Sequence, residues 1–263
     1  MAQKLPQKDV VIIGFGWTGA VMAYKFTGAG LDVVAIERRA WRDTATGGRN
    51  FAGAVTQGWR AYDITSDLIS GLGAWSGAEI SAHLHAGHVA GHGSAGDPMA
   101  EQVDDSLGAL SPSDISAIVT YLRSIPAIRT PDLPAPTATP ATDLPKVMQA
   151  RFDPLGKQNC GGACASCHGW SGVSPLNSIA NLTGSRAVND RNATIAVAIV
   201  ISGKGRETVD GVMFMPAFAI AYSDTEIAAV ANYVTDRFGA APTRLTANEV
   251  TALRRSFLQW RYQ

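Results

Sequence analysis

The sequence predicts a mainly α fold built from small modules, with one short strand–helix–strand piece at its start, and three observations carry this. Apolar residues fall at helical spacing through residues 111–122 and 223–238, each run opened by a helix-capping sequence. A glycine-rich turn follows four β-branched residues near the N-terminus. Six prolines between Pro126 and Pro145 divide the chain into an earlier and a later part.

Residues 10–37 read as a βαβ unit. Val10, Val11, Ile12 and Ile13 form the first strand, Gly14-Phe15-Gly16-Trp17-Thr18-Gly19 the turn, Ala20 to Ala29 the helix, and Asp32 to Ile36 the second strand. The spacing is that of a Rossmann-like dinucleotide fingerprint. Gly14 permits the turn, Gly16 lets the backbone approach a pyrophosphate, Gly19 packs helix on strand, and Glu37 can accept from a ribose hydroxyl, so a dinucleotide is a candidate cofactor here. No further strand follows, and about 40 residues do not make a core by themselves.

In residues 47–125, Ser76 and Glu79 form a capping box inside the apolar pair Trp75 and Ile80, which starts a helix through His85. A second helix starts at Ser111-Pro112, with Ile115, Ile118, Val119 and Leu122 on one face. Residues 126–147 are a proline-rich linker expected to have little capacity to pack. Residues 148–240 hold a cluster of Cys and His, an apolar run from Thr194 to Ser202, and a helix capped by Ser223 and Glu226 with Ile227, Val230, Val234 and Phe238 on one side. Residues 241–263 form an amphipathic tail with Val250, Leu253, Phe257 and Trp260 on one stripe. Contact with a membrane surface and packing on a partner or on the preceding domain both fit that stripe.

Residues 113–122 repeat residues 225–234 in nearly every chemical class, and each copy follows a paired Met and Pro, Pro98-Met99 in the first case and Met215-Pro216 in the second. The middle segment is thus read as the rear of a module like the last one, without the Cys-His head.

Composition excludes some partners. The 263 residues carry no net charge and only 17% are charged, which leaves no basic field for nucleic acid. Three cysteines are too few for a disulfide framework. No apolar run reaches the ~18 residues of a membrane-spanning helix. Met1 to Asp9 is polar and lacks a cleavage pattern, so the expectation is no secretory leader and a cytoplasmic chain unless it is exported by other means.

The sharpest chemical motif is Cys164-Ala165-Ser166-Cys167-His168. Two thiols at this spacing can each form a thioether with one porphyrin, and the adjacent imidazole reaches the iron from the same face. A thioredoxin-like pair would not require the His. His168 is one axial ligand; Met213 and Met215 are candidates for the other, with Met215 favoured because Pro216 stiffens the loop presenting it. The Pro175 carbonyl is expected to accept from the free ring nitrogen of His168. Cys160 is left over, as an unpaired thiol or a competitor for thioether attachment. His83, His85, His88 and His92 match no defensible metal geometry.

With these residues in view, residues 47–258 resemble the multi-haem cytochrome c subunit of bacterial membrane-bound alcohol, sorbitol and gluconate dehydrogenases. The resemblance rests on residues 58–65, 96–101, 164–169, 182–185, 187–190 and 215–218, with Tyr222, Ser223 and Asp224 following. It implies a class I cytochrome c-like haem module at the C-terminal end, one haem c on Cys164 and Cys167, and electron relay from a flavoprotein or quinoprotein large subunit to membrane quinone on the periplasmic side of the inner membrane. Residues 1–46 resemble the start of the FAD-bearing large subunit of the same complexes, of glucose-methanol-choline type, through residues 9–19 and Glu37 with residues 41–44. The rest of that flavin domain and its catalytic His have no counterpart in this sequence, so the chain is not expected to be catalytic alone. The alternatives are a fragment of an FAD-dependent gluconate or polyol 2-dehydrogenase and a non-functional gene-fusion chimera.

Overall fold

The computed structural model describes residues 8–13, 22, 25–36, 51–56, 59–136, 152–208 and 211–261, in two compact units, residues 1–50 and 51–263. In the first unit, β1 (Val10–Ile13) and β2 (Val33–Ile36) pair in parallel, Val10 opposite Val33 and Ile13 opposite Ile36, as runs of β-branched residues favour. Residues 25–28 between them are helical, and Gly30 at φ +80° supplies the left-handed residue that turns the chain toward β2. Gly14, Gly16, Gly19 and Glu37 lie outside the described residues.

The second unit is largely helical. Its first part holds a short antiparallel hairpin, β3 (Ala54–Thr56) and β4 (Trp59–Ala61), then α1 (Gly77–Ala86), a second hairpin of β5 (His88–Val89) and β6 (Gly93–Ser94), α2 (Asp97–Asp105) and α3 (Pro112–Ser124). The α1 capping box is present in both directions, and Ser111 caps α3 through the Asp114 amide. Ile80 of α1 meets Ile115, Val119 and Leu122 of α3 in one cluster, with Trp75 against it.

The later part holds α4 (Pro154–Ala163), α5 (Ala165–His168), α6 (Thr194–Ser202), a hairpin of β7 (Lys204–Thr208) and β8 (Gly211–Met215), α7 (Asp224–Phe238) and α8 (Ala247–Arg261). α4 crosses α7 at Gly156, where a Cβ would collide with the Ala229 carbonyl; only glycine allows that approach. Ile227, Val230, Val234 and Phe238 of α7 are all buried, and full burial stabilises each by about 1.5–3 kcal/mol. α6 is apolar on every side and buries Ile195, Val197, Ala198 and Ile201 among α7, α8 and Trp59.

That packing settles where the described part of the C-terminal stripe goes; the Trp260 side chain lies outside the described residues. Val250 and Phe257 lie in the same core as α6, Phe257 stands 5.6 Å from the ring of Trp59, and Arg254 bonds Asp224 at 2.7 Å. The tail therefore packs on its own unit.

The proline-rich stretch differs from expectation over its described part. Leu133 is 1% exposed, and Thr130 is buried. The amides that the stretch cannot pair with itself are met by buried hydroxyls: Ile128 donates to Thr65 Oγ1 at 3.1 Å and Thr130 to Ser70 Oγ at 3.0 Å. Two further bonds join early and late parts of the unit. Arg60 pairs with the fully buried Asp190 at 3.2 Å, and Arg186 donates to the Pro134 carbonyl at 2.6 Å.

Candidate haem site

Cys164, Cys167 and His168 are brought together where α4 hands over to α5. Asp153 caps α4 through the Gly156 amide, Cys164 ends that helix, and the Cys167 and His168 amides both donate to the Cys164 carbonyl, so one tight turn presents all three side chains. Cys164 is half-buried and Cys167 exposed. Gly169, at φ +73°, then reverses the chain beneath the Val173 carbonyl, which leaves no room for a side chain there.

His168 Nδ1 lies 2.6 Å from the Ala180 carbonyl oxygen. A carbonyl only accepts, so Nδ1 carries the proton and Nε2 keeps its lone pair for a metal. Pro175 had been expected in this role. The 3-10 turn Ser178–Ala180, capped by the Asn177 side chain on the Ile179 and Ala180 amides, aims the Ala180 carbonyl at the ring instead. The sequence offered no signal for this, because a backbone carbonyl has no residue signature.

Met215 closes β8, and its segment is seated on Gly203, where a Cβ would press on Met215 O and Ala217 N at 2.6 and 2.7 Å. Phe218 N bonds the Val200 carbonyl at 2.9 Å, tying the loop after Met215 to α6. Met213 accepts a bond from Asn177 Nδ2 on its sulfur at 3.2 Å, which brings the methionine strand against the turn that holds His168.

Cys160 is buried with Phe152, Val188, Val230 and Tyr233. Its thiol donates to the Cys164 sulfur; that bond and burial push the Cys160 thiol up, while the same bond holds Cys164 below the ordinary thiol range. The histidines of the middle segment are used singly. His92 stacks on Trp75 at 3.8 Å and bonds Glu79, His83 meets the same ring edge-on, and His88 bonds Ser94 and Ser178. Met99 packs beside Ala95, Ala100 and Val103. Among the described residues no cluster of three or more His, Cys, Asp or Glu could hold a metal, and no helix is long and apolar enough to cross a membrane.

The residues present fit a haem. The fit rests on the donor set: the Cys164 and Cys167 thiols and the His168 imidazole stand on one turn, and the Nδ1 bond to the Ala180 carbonyl leaves Nε2 to bind an iron.

Residues 155–237 match the Cytochrome c family. The C-terminal part of the chain is a cytochrome c domain, whose chemistry is electron transfer through a c-type haem. Among curated proteins, the chain is 33% identical over 220 residues to the fructose dehydrogenase cytochrome subunit of Gluconobacter japonicus, covering 77% of this chain and 45% of that one. It is 28% identical over 216 residues to the cytochrome c subunit of alcohol dehydrogenase (quinone) of Gluconacetobacter polyoxogenes, covering 80% and 46%. A separate match, 54% identical over 44 residues, is to the gluconate 2-dehydrogenase flavoprotein of Pantoea cypripedii, covering 17% and 7%. The chain thus spans about half the length of the cytochrome subunits it resembles.

Proposed function

We propose that this chain carries single electrons through one haem c bound by thioethers to Cys164 and Cys167, with His168 and Met215 as axial ligands, as a relay between a dehydrogenase large subunit and membrane quinone. The observation that carries the reading is the His168 Nδ1 bond to Ala180, which leaves Nε2 as the metal-binding nitrogen beside the half-buried Cys164 thiol and the exposed Cys167 thiol. Met215 is preferred over Met213 because the Asn177 amide already engages the Met213 sulfur. The haem supplies reversible one-electron chemistry when bound. The chain holds it, orients the imidazole, and covers its apolar faces. The repeat supports reading residues 47–125 as a truncated module without a haem of its own, ahead of the complete one in residues 148–240.

The dehydrogenase and quinone partners are proposed from the relatives: one is named as the cytochrome subunit of fructose dehydrogenase and another belongs to an alcohol dehydrogenase named for quinone. The periplasmic face of the inner membrane suits that relay. The test mixes the haem-loaded chain with a membrane dehydrogenase of this class and its substrate. Haem reduction that is reversed by a soluble quinone supports the relay; a haem that stays oxidised overturns it.

A second reading, a flavin-binding remnant that includes Gly14, Gly16, Gly19 and Glu37, is favoured by the 44-residue match to a flavoprotein. Bound yellow flavin in the purified chain supports it, and flavin-free protein after growth with excess riboflavin sinks it.

A further inference from the structure

The middle segment has no Cys-x-x-Cys-His of its own, yet its β5–β6 hairpin rests on the loop that orients His168. Gly93 stands at φ +98° with Ser185 against it, and Gly184, at φ +78°, lies so close to the Gly91 carbonyl that a Cβ there would collide. From this hairpin, Ser94 Oγ donates to the Ile179 carbonyl at 3.3 Å. A hydroxyl has one proton, so Ser94 can only accept from His88 Nδ1, 3.0 Å away. His88 is therefore protonated at Nδ1, and its Nε2 accepts from Ser178 Oγ at 3.0 Å. Ser178, Ile179 and Ala180 make up the turn whose last carbonyl accepts the hydrogen bond from His168 Nδ1. A closed set of bonds thus joins the middle segment to two residues of a three-residue turn, and the third residue touches the iron-binding imidazole.

We infer that His88 and Ser94 are positioning residues for the haem, a clamp that holds the Ala180 carbonyl on His168 Nδ1 and so sets the basicity of the axial imidazole. The inference rests on the haem reading above. A short bond from Nδ1 to a fixed carbonyl raises the basicity of the ligand and favours ferric iron. Releasing the turn weakens that bond and favours ferrous iron. This gives the headless segment a function other than carrying a haem.

The test compares the full chain with His88→Ala, Ser178→Ala and, as a control, His85→Ala, since His85 is exposed and apart from the clamp. In protein without haem, hydrogen exchange of residues 174–182 is expected to quicken about tenfold in His88→Ala and less in Ser178→Ala. After covalent haem loading, the ferrous-to-ferric equilibrium is expected to shift two- to tenfold toward ferrous, a rise of about 20–60 mV in midpoint potential, with haem content unchanged and His85→Ala unmoved. Faster exchange without a change in potential makes the contact merely structural and overturns the proposal, as does unchanged exchange. Should His88→Ala fail to fold, Ser178→Ala, which removes one hydroxyl at the surface, decides on the same readouts. A wild-type chain that takes up no haem fails the haem reading itself, and the clamp with it; a haem-loaded wild type with variants of unchanged potential fails the clamp alone.

Discussion

At the scale of single residues, the site divides into parts that local sequence announces and parts it does not. Cys164, Cys167 and His168 are legible because their spacing is itself the chemistry. The partner of His168 was not, since Pro175 is conspicuous in a sequence and the carbonyl of Ala180 is not. Two predictions belong here. If Met215 is the second axial ligand, Met215→Ala abolishes the far-red charge-transfer band of ferric thioether ligation, whereas Met213→Ala keeps it; the opposite pattern assigns Met213. The thiols make the second. The bond from Cys160 holds the Cys164 pKa low, and the thiolate is the reactive form, so near neutral pH Cys164 alkylates faster than Cys160, whose own pKa is raised and whose side chain is buried. Timed iodoacetamide labelling of haem-free protein, read by mass spectrometry, should leave Cys160 unmodified until the chain unfolds.

At the scale of elements, the caps and apolar periods of α1, α3 and α7 were readable because they are decided within a few residues. What periodicity could not show is which helices touch. The α4–α7 crossing depends on Gly156 lying beneath the Ala229 carbonyl, a contact across more than 70 positions. Gly156→Ala should force the helices apart and destabilise the fold by about 1–3 kcal/mol, seen as a lower melting temperature and weaker haem retention; an unchanged melt would mean that the crossing is looser than the structure shows. The turn at residues 65–70 gives a pH prediction. The Ser70 and Ile69 amides, the Ser70 hydroxyl and Arg129 hold Asp67 at a pKa of about 2. A depressed acid stabilises the folded state above its unfolded pKa and loses that contribution as pH falls toward 2. Asp67→Asn should therefore lower stability at neutral pH, where the carboxylate's contribution is fully present, and flatten the acid limb of the stability profile between about pH 4 and 2.

At the scale of the whole molecule, the proline-rich segment was the least well read feature. Six prolines suggest a spacer by composition, but composition does not reveal that Thr65 and Ser70 satisfy the backbone of residues 128–130 or that Leu133 finds a buried place. The late and early parts of residues 51–261 share a core through Trp59, Phe257, Arg60 and Asp190. Arg60→Ala would leave the Asp190 carboxylate buried without its cation, a loss of about 3–5 kcal/mol for a pair of this kind. Calorimetry should then show the main transition moving down as one, since both parts lean on the same pair; movement of only one of two separate transitions would mean that they unfold apart.

The central claim is that the turn from Cys164 to His168 holds a haem covalently. The most direct measurement is the absorption spectrum and mass of the chain produced with a haem-attachment system and an added export leader. One haem per chain, retained through denaturation and lost in the Cys164→Ala and Cys167→Ala double variant, is the predicted result. A colourless protein of unmodified mass under those conditions would contradict it.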